Sequence, residues 1–274
     1  MRLPFAALCL SSVVAYTLAP ARVLAAEIDT RPPDKITLSG TGARLMDAEE
    51  NGAGGALNYL HYFTPNVIVG VGGEHQYIAD SKWSFGSLRG AVSHGEPHSR
   101  FNISGEVNYG DGDENGRKFD YLVAVLGLSQ SFGTKFSMQL ENRHIDIDTT
   151  QGNLPKLGLS YLPTPRLVAN VSYADSVGGN LGTQLTTVRL DHYGNVINFL
   201  IGGAMGDADP SVVNLQPGLT LPSQDLKQGF IGIGRTFRNG EIQLLGDYLE
   251  LGANEKVTVV LSFTAYLGSR GRAP

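Results

Sequence analysis

The six histidines, His61, His75, His94, His98, His144 and His192, are the first places to look for catalysis. Alternate residues of a strand point the same way, so a nucleophile–base pair on one face needs a spacing such as His-x-Ser. None of the six has Ser two positions on. His144-Ile145-Asp146-Ile147-Asp148 sets an imidazole and two carboxylates on one face, and reads as a solvated base of a loop. Asp111-Gly112-Asp113-Glu114-Asn115-Gly116 matches the first half of a calcium loop. The position that must supply a bidentate Glu is Leu122, so an ordinary turn is the better reading. Gly70, Gly72 and Gly73, and Gly232 with Gly234, are not followed by a helix and so make no phosphate cradle. No catalytic residue, cofactor or metal ligand is expected.

The elements that would carry these residues are strands. Charged residues are 17% of the 274, below the ~25% usual for soluble domains, and there are 35 glycines. The start reads as a cleaved leader, residues 1–26. Arg2 is its basic end, Leu3 to Leu18 its apolar run, and Ala25 or Ala26 its cleavage point. The single cysteine, Cys9, lies inside it, so the mature chain has no thiol for a disulfide or a metal. Loss of Arg2 and Arg22 leaves 19 basic against 26 acidic side chains, a net charge of −7, which argues against a nucleic-acid partner. No later stretch has the ~20 apolar residues of a spanning helix, so a membrane-embedded chain must be a closed barrel.

After a polar lead, 27–35, strands are expected at 36–46, 53–63, 67–77, 82–94, 99–110, 118–130, 134–147, 154–162, 166–174, 181–192, 195–206, 226–237, 241–251 and 256–267, with a tail at 268–274. The fold class is all-β, a transmembrane antiparallel up-and-down β-barrel spanning 36–267. It has about 14 strands, or 12 if a weak pair is miscounted. Alternation is clearest in Phe101–Tyr109, Lys135–Glu141 and Arg166–Tyr173. The last strand sets Val257, Val259, Leu261 and Phe263 opposite Thr258, Ser262, Thr264 and Tyr266. The segment 118–130 is apolar on both faces.

Short links at 64–66, 95–98, 131–133, 163–165, 193–194 and 238–240 alternate with longer or more polar ones at 47–52, 78–81, 111–117, 148–153, 175–180, 207–225 and 252–255. Outer-membrane barrels have short periplasmic turns and longer external loops. Acidic residues such as Asp111, Asp113, Asp148 and Asp207 gather on the long side. Tyr62, Phe63, Tyr77, Trp83, Tyr109, Phe119, Phe132, Tyr161, Tyr173, Phe237 and Tyr266 stand near strand ends and are candidates for the two interfacial girdles.

By parity the lumen receives Glu74, Arg89, Arg100, Glu106, Glu141, Arg143, Arg166, Arg189, Asp191 and Asp247. They are the candidates for lining a pore; the alternative is that they pair across strands and fill the barrel. A charge facing lipid would cost ~2–4 kcal/mol at mid-depth, which favours the inward assignment.

The stretches Val171-Ser172-Tyr173-Ala174-Asp175-Ser176 and Thr187-Val188-Arg189-Leu190, a mature length near 250 and an ending made of strands resemble the YaiO family of outer-membrane barrels. That resemblance implies an outer-membrane location and no defined reaction, so it assigns no site residue. The set at His144–Asp148 with Asp111 and Asp113 also resembles the paired acidic and Asp/His residues of omptin proteases, without their full pattern. The expected protein is a monomeric outer-membrane pore for small polar solutes. It would be folded by the barrel-assembly machinery and surrounded by lipid and lipopolysaccharide. The alternative is a non-conducting envelope barrel that presents the loop 207–225 to partners.

Overall fold

A computed structural model describes residues 32–78, 81–96, 98–114, 116–148, 150–209 and 223–268. The expected leader, the start of the lead and all but the first residue of the tail lie outside the described residues. Fourteen long strands form the wall: β1 (Asp34–Leu45), β2 (Glu50–Thr64), β3 (Val67–Ile78), β4 (Ser81–His94), β5 (Phe101–Glu114), β6 (Arg117–Phe132), β7 (Phe136–Ile147), β8 (Thr150–Thr164), β9 (Leu167–Asp175), β11 (Gln184–Tyr193), β12 (Ile197–Ala208), β13 (Gln224–Phe237), β14 (Gly240–Leu251) and β15 (Asn254–Leu267). A three-residue strand, β10 (Val177–Gly179), lies outside that series. Each long strand pairs antiparallel with its neighbours, and β1 with β15 closes the ring.

The register fixes the shape. The pairing can be followed from Phe132 on β6 to Phe136, Tyr161, Ala169, Leu190, Ile201, Ile231, Gly246 and Val259. It continues through Gly42, Ala53, Tyr77, Lys82 and Asp113 to Lys118, again on β6. One circuit therefore climbs fourteen residues on fourteen strands. With 3.3 Å per residue and 4.8 Å between strands, this stagger tilts the strands by about 35° and sets a radius of about 13 Å. Each strand step then lifts the row by about one residue's axial rise, ~2.7 Å.

At mid-height the outward positions are Leu38, Leu57, Val71, Leu88, Gly105, Leu126, Leu140, Leu157, Val171, Val188, Ile201, Ile231, Leu244 and Leu261, one from each wall strand, and every one but the glycine is an exposed large hydrophobe. Phe63, Phe101, Phe132, Phe136, Tyr161 and Phe237 border this belt on the side of the termini, and Tyr77, Tyr109, Tyr173 and Tyr248 on the other. Phe101 and Tyr109 on β5 are thus about 22 Å apart along the barrel axis, close to the ~25 Å apolar band of outer-membrane barrels. An exposed belt of this kind on a closed sheet belongs in lipid, where the ladder satisfies every backbone polar group. Tyr62, Trp83, Phe119 and Tyr266 from the expected girdles face inward instead.

The outer links correct the sequence reading. Most are short, two to four residues between strands: 46–49, 79–80, 115–116, 148–149 and 252–253. Residues expected in loops, such as Asp111 and Asp113, continue the ladder above the belt. There water replaces lipid, so outward side chains turn polar while the strand goes on, and polarity alone mimics a loop. Only 176–183 and 209–223 are long.

The N-terminal edge is pinned by Asp34, which accepts from the Tyr59 hydroxyl at 2.9 Å and the Tyr62 amide at 3.1 Å and lies 2.9 Å from His61 Nδ1. Placing a cation in the middle of the belt, as in Leu126→Arg, should cost about 2–4 kcal/mol in denaturant unfolding from vesicles, whereas Asp120→Arg above the belt should cost little.

Candidate functional site

Inward positions change character with height. Around the middle of the wall Arg89, Glu106, Glu141 and Arg189 share one level, and Glu74, Arg143, Lys156 and Asp247 the next above. Such charges need partners in a partly desolvated space. Glu141 has two, Arg143 Nη2 at 3.3 Å and Lys156 Nζ at 3.0 Å, the latter directly opposite it in the register. Arg189 grips Asp191 Oδ1 through Nη2 at 2.6 Å and Nε at 2.9 Å, while Asn170 donates to the other oxygen at 3.1 Å. Arg89 donates to Asn58 at 3.4 Å, Asn108 to Glu106 at 3.1 Å and Gln228 to Asp247 at 2.7 Å. Glu74, Glu106 and Arg143 all act electrostatically on the Tyr121 hydroxyl, which gathers β3, β5, β6 and β7 around one region of the lumen.

Eight of the ten candidate residues, Glu74, Arg89, Glu106, Glu141, Arg143, Arg189, Asp191 and Asp247, are therefore on the inner face at mid-height. Arg100 and Arg166 are not with them. They lie in the turns before β5 and β9, and Arg166 is exposed and donates to Asn195 at 2.9 Å. Lys156 was not among the candidates, although it falls within the strand expected at 154–162; its register partner is Glu141. Pro155 has no N–H for a ladder, and the β8–β9 pairing stops at Lys156↔Ala174.

Above the charges the lumen turns apolar, which the parity argument did not anticipate. Leu45, Ile78, Trp83, Phe119, Tyr121, Val123, Ile145, Ile147, Leu154, Ala174 and Leu181 form one buried cluster. Ala204, Ala208, Leu226, Leu249 and Leu251 form a second. Each of these side chains is less than a tenth exposed, so the inner face at the outer end of the barrel is packed like a protein core. This packing explains why 118–130 is apolar on both faces: Phe119, Tyr121 and Val123 serve the seal, Leu126 and Leu128 the lipid. Several inward glycines let large side chains lie flat on the wall. A Cβ at Gly112 would overlap the Phe119 ring, one at Gly202 the Phe230 ring and one at Gly72 the Asn58 amide.

Leu181 reaches the seal on a strap. Val177 and Gly179 leave β9 to pair with Asn153 and Gly152 of β8. Gly178 and Gly179 make the turn at φ of 70° and 71°. The return is held by Thr183 N donating to Ser176 Oγ at 3.0 Å and Asn180 N to the Gln151 carbonyl at 2.9 Å.

His144 and Asp146 face outward above the belt, and His144 Nδ1 is 3.3 Å from Asn153 Oδ1. Asp113 accepts from the Gly116 amide at 2.8 Å, as a turn residue does. Among the described residues no group of three or more His, Cys, Asp or Glu is placed to hold a metal ion.

No family model matches the chain, and no curated protein sequence does. Solved structures do. The monoaromatic hydrocarbon channel CymD superposes with a TM-score of 0.62 at 11% identity, covering 92% of each chain. The outer membrane protein Omp33 of Acinetobacter baumannii has a TM-score of 0.54 at 10% identity, covering 88% of this chain and 100% of its own. The toluene transporter TodX of Pseudomonas putida has 0.53 at 11%, covering 95% of each. At these identities the likeness is one of fold: this chain shares the closed antiparallel β-barrel of these two channels and this outer membrane protein.

Removing Glu141 leaves Arg143 and Lys156 facing each other without their shared anion. Glu141→Ala should lower stability by about 2 kcal/mol, discounted for water in the lumen, and Glu141→Gln by less. Urea unfolding followed by tryptophan fluorescence of Trp83 measures both.

Proposed function

We propose that the barrel is a monomeric pore that passes small polar solutes across the bacterial outer membrane. The observation that carries this reading is the mid-height charged section of the lumen, held open by a wall of about 13 Å radius. At mid-height Arg89, Arg143, Lys156 and Arg189 stand against Glu74, Glu106, Glu141, Asp191 and Asp247, with Lys256 higher up in the seal, so the wall is polar and close to balanced in charge. Mid-height members of this set line the path. The leader 1–26 directs export, the assembly machinery folds the chain, and lipid and lipopolysaccharide surround it. Kinship with the YaiO barrels, through Val171–Ser176 and Thr187–Leu190, fits the same picture.

One observation favours a second reading, a non-conducting envelope barrel that meets partners through its long outer loop: the packed apolar seal above the charges. Planar bilayers separate the two. A pore passes neutral solute into liposomes, and any current it carries in potassium chloride has a potassium-to-chloride permeability ratio near one, because the lumenal charges nearly cancel. A correctly folded barrel, verified by its mobility shift on boiling, that stays silent and passes no solute into liposomes supports the envelope role.

A further inference from the structure

The buried residues of the seal fall into two separate clusters. One belongs to β1, β3, β4, β6 to β9 and the strap, the other to β12 to β14 with Leu185 of β11 packed against it. Between them stands β15, and at this height it turns Lys256 and Thr258 inward. Thr258 lies opposite Ala43 on one side and Asp247 on the other; Lys256 lies between Leu45 and Leu249. Asp247 is 6% exposed and Thr258 1%. Gln228 donates to Asp247 Oδ1 at 2.7 Å. Asp247 Oδ2 and Thr258 Oγ1 are buried and have no hydrogen-bond partner among the described residues. Buried polar atoms are almost always paired, so two adjacent exceptions need a cause.

We propose that Asp247, Thr258 and Gln228 form a hydrogen-bonding seam through the seal that binds neutral, hydroxyl-bearing solutes on their way through the barrel. This rests on the pore reading and names its substrate class. A solute hydroxyl donates to Asp247 Oδ2, and Thr258 Oγ1 donates to or accepts from a solute oxygen. Lys256 acts electrostatically on Asp247 from the neighbouring strand. The apolar walls on both sides penalise bare ions far more than neutral molecules. The solute's own hydroxyls supply the pairing that these buried oxygens lack.

The test is swelling of proteoliposomes in isosmotic arabinose, a neutral polyhydroxylated probe, with the full barrel and its boiling-dependent gel shift as the folding control. Thr258→Val should slow swelling about fivefold, the equivalent of one hydrogen bond, and Asp247→Asn by at least as much. Thr258→Ser, which keeps the hydroxyl, should swell at the unchanged rate, as should Thr187→Val elsewhere on the inner wall. Should Asp247→Asn fail to fold, the Thr258→Val and Thr258→Ser pair decides alone. Unslowed swelling in Thr258→Val, or equal slowing in Thr187→Val, overturns the seam while leaving the pore intact. An unmutated barrel that neither swells nor conducts overturns the pore, and the seam with it.

Discussion

Everything in this molecule depends on the closed ladder of backbone hydrogen bonds and its stagger of fourteen residues. In hydrocarbon an unpaired amide or carbonyl has no water to turn to, so the sheet must close. Closure with this stagger fixes tilt and radius together. It also decides which residues share a height, although they are far apart in sequence. Leu38 and Ile231 belong to one lipid-facing ring, and Glu106 and Arg189 to one lumenal level, only because of that register.

On this frame the chain runs two opposite gradients. Outside, aliphatic residues fill the middle and polar ones the outer end. Inside, charges occupy the middle and apolar residues the outer end. The inversion lets the barrel wall stay rigid above the bilayer, since there its inner face packs as an ordinary protein core does while its outer face meets water. The ladder can then extend past the membrane, and the outer turns can be short.

Much of the architecture was legible in the residues. Strict alternation in Phe101–Tyr109 and Val257–Phe263 gave both facing and strand class, and fourteen strands were countable. The inward charges followed from the cost of placing them in lipid. Three things were hidden. The polar strand ends around Asp111 and Glu50 looked like loops, because a strand leaving the bilayer changes its outward residues without changing its backbone. Trp83 and Phe119 looked like girdle aromatics, because an inward core and an outward girdle draw on the same residue types at the same height. Lys256 and Thr258 acquire meaning only beside Asp247 and the two apolar clusters, and that adjacency is a matter of register between strands.

The flat-lying side chains have an evolutionary corollary. Phe119 rests where Gly112 has no Cβ, and Phe230 where Gly202 has none. Neither partner can change alone without cost: a larger residue at the glycine evicts the ring, and a smaller one at the ring leaves a void over bare backbone. Each couple is therefore a single heritable unit. A change of bore at these points requires paired steps across neighbouring strands rather than independent substitutions.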